Sequence, residues 1–206
     1  MAWEDMSADF RSAAFGNQDW QRDFFKHYFY WHGTVHEMGH ILRWHYGTTS
    51  ANPWEEEMAV NDFSAAYWRA RGEEARLANF AALVRRALST LPNPVPAGDD
   101  PAVWFEQHYD DPMPILAYAY FQDQMVLAAQ AKQLNLFTAL HTLITPTAST
   151  AVANHIEPYP ALDAELPFQI VDDMRLFLGP YGVELPTVRV IREFSPGIQF
   201  VSRDEP

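Results

Sequence analysis

The segment best suited to chemistry is His36-Glu37-Met38-Gly39-His40. On a helix, positions four apart share one face about a turn apart. Two imidazoles at that spacing can reach a single metal ion. Glu37 lies next to His36 in sequence but about 100° around the helix. It can therefore face a metal-activated water without becoming a ligand. Three protein ligands would leave a fourth position open, where zinc lowers the pKa of water to around 7 and a carboxylate takes its proton. The chain has no cysteine, so any zinc site must be made of His and carboxylate.

A third ligand is available a short distance downstream. The run Trp54-Glu55-Glu56-Glu57-Met58-Ala59-Val60-Asn61-Asp62-Phe63 reads as the start of a helix. Asn52 suits the N-cap, Pro53 the first helical position, and Glu55 completes a capping-box pattern. Glu57 and Asn61 are four apart and share a face. Glu57 can bind the metal while Asn61 hydrogen-bonds a ligating histidine, with Asp62 as an alternative partner. Three successive glutamates in the acidic first turn leave Glu56 open as the ligand instead. His32, one turn before His36, reads as a neighbour or core residue, and His45 as a C-terminal residue favoured by the helix dipole.

His-Glu-x-x-His followed by Glu-x-x-x-Asn on the next helix resembles the gluzincin group of zinc metallopeptidases. The 17 positions from His40 to Glu57 look like the small gluzincins, in which a Glu-x-x-x-Asn-x-Phe pattern recurs. Glu57, Asn61 and Phe63 fit it, and the resemblance covers residues 32–68. It implies His36, His40 and Glu57 as ligands of one zinc ion, Glu37 as general base, and a peptide or protein as substrate. The group usually places a β-sheet before the zinc helix, with an edge strand that holds the substrate. In this chain the residues before His36 read as helix, so either the C-terminal hairpin (187–202) supplies an equivalent edge or the chain has none.

The surrounding elements follow from periodicity and punctuation. Residues 19–46 read as helix, crowded with aromatics and open to a kink at Gly33. The Asn52-capped helix runs to about Arg71. The spacing of Leu77, Phe80, Ala81, Val84 and Leu88 gives another. Residues 91–101 form a linker or long loop. Helices follow from Pro114 to about Ala131 and over roughly 134–144, then an irregular stretch at 145–167, then a helix near 168–178 stopped by Gly179-Pro180. Thr187–Phe194 and Ile198–Ser202 read as a hairpin. The expected fold is mainly α (α+β): a zincin-like helical metallopeptidase core with a small C-terminal β-hairpin. Residues 1–206 form one domain, with 91–101 as the candidate boundary of a sub-domain.

Composition narrows the function. Apolar residues make up 48% of the 206, enough for a folded core. A net charge of −13 repels phosphate backbones and anionic lipid, which argues against nucleic-acid and membrane partners and favours cationic or neutral substrates. The acidic start MAWEDMSADF lacks an apolar leader, so the chain as given reads as cytoplasmic. The expected activity is zinc-dependent hydrolysis of a peptide or amide bond. The alternative is a catalytically inactive zinc-binding regulatory or interaction module on the same scaffold. A donor for the oxyanion is also needed, and His108, Tyr109, Tyr118, Tyr120, His141 and His155 are the candidates.

Overall fold

The protein is described by a computed structural model, which covers residues 18–110, 113–145, 155–190 and 201–202, with residues 3, 6–9, 12 and 16 before them. It is mainly helical. The first helical stretch is continuous but changes its winding: α1 (Asp19–Phe25), π-helical turns over Lys26–His32, then α2 (Gly33–Tyr46). The Gly33 N–H bonds the Tyr28 carbonyl five residues back. A Cβ on Gly33 would stand 2.6 Å from that oxygen, so the wide turn needs glycine there. α2 ends in a Schellman pattern, with Gly47 N–H to Trp44 O and Thr48 N–H to Arg43 O.

α3 (Pro53–Ala70) starts at Asn52, whose side chain accepts from Glu55 N–H at 3.0 Å. Only half of the expected capping box forms. The Asn52 N–H donates to Ser50 Oγ, and Ser50 Oγ donates in turn to Glu55. α2 and α3 cross closely at Gly39, where a Cβ would lie 3.0 Å from Val60 Cβ and Cγ1. Glycine within the His-Glu-Met-Gly-His segment therefore sets how near Glu57 can come to the histidines.

α4 (Glu74–Leu88) follows, then α5 (Pro101–His108), α6 (Ile115–Lys132), α7 (Leu136–Leu143) and α8 (Leu166–Leu178), which runs on into a 3-10 turn at Gly179–Tyr181. α5 was not expected, yet its signal is in the chain: Asp100 caps it through Ala102 and Val103 N–H, and Pro101 opens it. The main core joins the α1–α2 stretch, α3, α4, α7 and α8. Trp31 and Trp68, both fully buried, stack at 4.5 Å in its centre. Truncating a buried indole of this kind typically costs about 3–5 kcal/mol. A smaller cluster around Phe105, Phe121 and Met125 ties α5 to α6.

Of the expected hairpin, β1 (Val188–Arg189) pairs antiparallel with β2 (Val201–Ser202), Val188 opposite Ser202. Its turn lies outside the described residues, as does 146–154 of the irregular stretch. The residues described before His36 are helical from Asp19 onward, and no other sheet exists among the described residues. No helix among them is long and apolar enough to cross a membrane.

Candidate metal centre

Three side chains converge where α2 meets α3. His36, His40 and Glu57 place one potential ligand atom each within 4.8 Å of one another. His36 Nε2 is 3.2 Å from Glu57 Oε2, and His40 Nε2 is 3.7 Å from the same oxygen. Ligand atoms on a tetrahedral first-row ion, with bonds of ~2.0–2.1 Å, stand about 3.3 Å apart. The three groups therefore fit such an ion with little movement.

The outer ring nitrogens fix the tautomers. His36 Nδ1 donates to Asn61 Oδ1 at 3.3 Å, and His40 Nδ1 donates to Glu56 Oε1 at 3.2 Å. Each bond leaves Nε2 free to face the ion, as metal-bound histidines require. Asn61 thus stands where its spacing from Glu57 put it. Its amide nitrogen donates to the Glu57 carbonyl at 2.9 Å. Glu56, weighed against Glu57 as a ligand, turns instead to His40, to Arg43 Nε at 2.8 Å and to Ser50 N–H at 2.8 Å. Asp62 is not a partner of the histidines. It sits further round α3, and its carboxylate takes Lys132 at 2.7 Å.

His32 joins the outer layer. Its Nε2 donates to the same Asn61 oxygen at 3.3 Å, and Ser64 Oγ approaches its Nδ1 at 3.2 Å. Burial, with the nearby His36 adding to it, pushes the His32 pKa down to about 3, so this ring is neutral.

Glu57 is 2% exposed, and α5 and α6 supply the donors that such a buried carboxylate needs. Tyr109 and Tyr118 both donate to Oε1, at 3.2 and 3.1 Å. Gln122 donates to Oε2 at 2.8 Å. Burial raises the Glu57 pKa, but bonds and charge from His36 and His40 outweigh it and hold the group well below the usual carboxylate range. Burial likewise opposes charge on His40, yet its bonds to Glu56 and Glu57 raise its pKa to about 10. Burial and then the Glu57 charge push Tyr109 up to about 12 and Tyr118 further, so both phenols keep their protons.

No family model, curated protein or solved structure matches this chain. Its own geometry must carry the assignment. Glu37 is partly buried and makes no hydrogen bond or ion pair with the described residues. Its charge adds to the upward shifts at His40, Tyr28, Tyr109 and Tyr118.

Of the six candidate oxyanion donors, only Tyr109 and Tyr118 reach the centre. His108 stacks on Trp104, Tyr120 bonds Gln124, His141 packs on Phe137, and His155 pairs with Glu157. Sequence reasoning missed Glu56 as the partner of His40 and Gln122 as the partner of Glu57. Glu56 had a signal, since it neighbours Glu57 on a helix facing α2; Gln122 had none. A separate cavity of about 550 Å³, lined by Trp54, Met58, Val95, Phe121 and Met125 among others, includes none of the converging groups.

Proposed function

We propose that the chain is a zinc-dependent peptidase or amide hydrolase, built in the manner of a zincin, with His36, His40 and Glu57 as ligands. Zinc held there would polarise a carbonyl and lower the pKa of a water to around 7. Glu37 takes the proton of the attacking water and passes it to the leaving amine. Asn61 and Glu56 orient the two imidazoles. Tyr109, which is 39% exposed, can turn from Glu57 to the oxyanion that develops on the substrate. The observation that carries the reading is the contrast between two carboxylates. Glu57 has both oxygens occupied by donors, whereas Glu37 makes no hydrogen bond or ion pair with the described residues.

A second reading is a zinc-binding module without turnover. The lack of an extended sheet beside the centre among the described residues favours it, because an incoming peptide would have no strand to pair with. One experiment separates the two. Zinc content is measured by elemental mass spectrometry on protein purified without added metal, and peptide hydrolysis is followed by mass spectrometry. Glu37→Gln should keep one zinc per chain and lose about 10²–10⁴-fold in rate. Hydrolysis by Glu37→Gln at the wild-type rate would remove the proposed base. Zinc without any hydrolysis by the wild type would favour the module.

A further inference from the structure

The cavity of about 550 Å³ lies within the span of small-molecule sites, about 300–1,000 Å³. It is enclosed by the start of α3, one face of α6 and the loop that joins α4 to α5. Trp54 and Met58 come from α3, and Tyr120, Phe121 and Met125 from α6. The loop is held in shape. Pro92, Pro94 and Pro96 restrict its backbone. Val95 N–H donates to Asn93 Oδ1 at 3.0 Å, and Asp99 N–H to the Pro96 carbonyl at 3.2 Å. Gly98 supplies the positive φ of 97° within that turn. A wall ordered beforehand loses little freedom when a ligand arrives.

Trp54 and Phe121 meet edge to face with centroids 6.1 Å apart. Phe105, fully buried, packs on both, at 5.7 and 5.1 Å. The same ring lies 5.3 Å from Tyr109 and 6.5 Å from Tyr118. One buried ring thus touches both the cavity wall and the phenols that donate to Glu57, while the cavity itself includes none of the converging groups.

Charge narrows the ligand. No Lys, Arg or His lines the cavity among the described residues. Its exposed rim carries Asp99 and Asp100. Asp100 uses Oδ1 to cap α5, and the Asp99 carboxylate makes no hydrogen bond or ion pair with the described residues. Such a rim repels an anion and attracts a cation. Rings and thioethers suit a flat aromatic body, and ring faces also favour a nearby ammonium.

We propose that this cavity binds a small aromatic amine. Its flat ring system sits against Trp54, Phe121 and the two methionines, and an ammonium on a short arm reaches Asp99 and Asp100. The site uses none of the metal-binding residues, so it stands or falls apart from the hydrolase reading.

Tryptamine, 3-ethylindole and indole-3-propionate test it, because they carry an ammonium, no charge and a carboxylate on arms of similar length. Hexylamine carries the ammonium without a ring. Each is titrated by NMR into the metal-free full chain at pH 7.5, with the Trp54 indole N–H assigned in triple-resonance spectra. Tryptamine should bind with a Kd of about 1 mM or tighter. It should bind at least about tenfold more tightly than indole-3-propionate or hexylamine, the scale of one charge-assisted hydrogen bond or one ring contact. 3-Ethylindole should fall between tryptamine and indole-3-propionate, and the Trp54 signal should move with saturation. Asp99→Lys should abolish the preference for tryptamine over 3-ethylindole. Ala128→Trp, at an exposed α6 position that lines the cavity, should weaken all three indoles by at least about tenfold. Equal binding of tryptamine and indole-3-propionate would overturn the site. So would no saturable binding of any indole, saturation that leaves the Trp54 signal in place, or an undiminished preference in Asp99→Lys. The comparison of ligands on the wild type holds even if a variant fails to fold.

Discussion

The two walls of the candidate metal centre are built on different principles. One is the α2–α3 pair, neighbours in the chain. It supplies His36, His40 and Glu57, Glu37 with no partner among the described residues, and the outer partners Asn61 and Glu56. The other is α5–α6, which reaches Glu57 from 52, 61 and 65 residues away through Tyr109, Tyr118 and Gln122. The first wall holds every atom that would touch a metal. The second touches only one carboxylate, yet without it Glu57 would be a buried acceptor short of donors, at a cost of about 1–3 kcal/mol or more for a charged group. The three converging groups are thus compact in sequence while the support of the Glu57 carboxylate is not.

Breaking the first wall should have the largest effect. His36→Ala or His40→Ala is expected to abolish stoichiometric zinc binding, read by elemental analysis after dialysis. Full occupancy in either variant would erase the distinction between the walls. Glu57→Ala should weaken zinc more than Glu56→Ala, because the first removes a ligand and the second an orienting partner. The reverse order would exchange their roles.

Breaking the second wall should loosen the site without removing it. Gln122→Met and Tyr118→Phe are each expected to weaken zinc about 10–100-fold, the usual effect of losing an outer partner. Gln122 also donates to the Tyr118 hydroxyl at 3.0 Å, so the double variant should lose less than the sum of the two. Competition titration against a chelator measures this. Affinities unchanged within about twofold would reduce α5–α6 to packing.

The same division decides what could be read from the sequence. His36 and His40 are related by one helical turn, and Asn52-Pro53 announces α3, so the first wall follows from local spacing. The choice between Glu56 and Glu57 did not, because three glutamates run together. It is decided by the rotation of α3 against α2, which turns Glu57 with Asn61 inward and Glu56 toward Arg43. Asp62 was misplaced for the same reason. The second wall depends on how α6 docks, and nothing local marks Tyr118 or Gln122 above other polar residues on that helix. α5 hid behind a Pro-rich loop, although Asp100-Pro101 is a helix start. The π-helical turns left one trace, Gly33, which was read as a kink and in fact admits the Tyr28 carbonyl.

The smallest effect concerns protons. In the metal-free chain His40, raised to about 10 despite its burial, is charged at neutral pH, and Glu57 opposite it is ionised. A metal needs the neutral imidazole, so zinc uptake at pH 7.5 should release about one proton from His40. Calorimetry in buffers of different ionisation enthalpy counts it. Stability follows the same pair. The folded His40 pKa lies above its ordinary 6.5, so its contribution is full below that value and lost as pH rises toward about 10. Glu57 runs the other way, contributing above its ordinary 4.5 and losing this as pH falls. The Tm of metal-free protein should therefore drop between roughly pH 6.5 and 10, and zinc should remove that drop. No proton released, with a flat alkaline profile, would mean a neutral His40 in the metal-free chain. The ionised Glu57 would then depend on Tyr109, Tyr118 and Gln122 for its stabilisation, and the second wall would outrank the first in holding the site ready for metal.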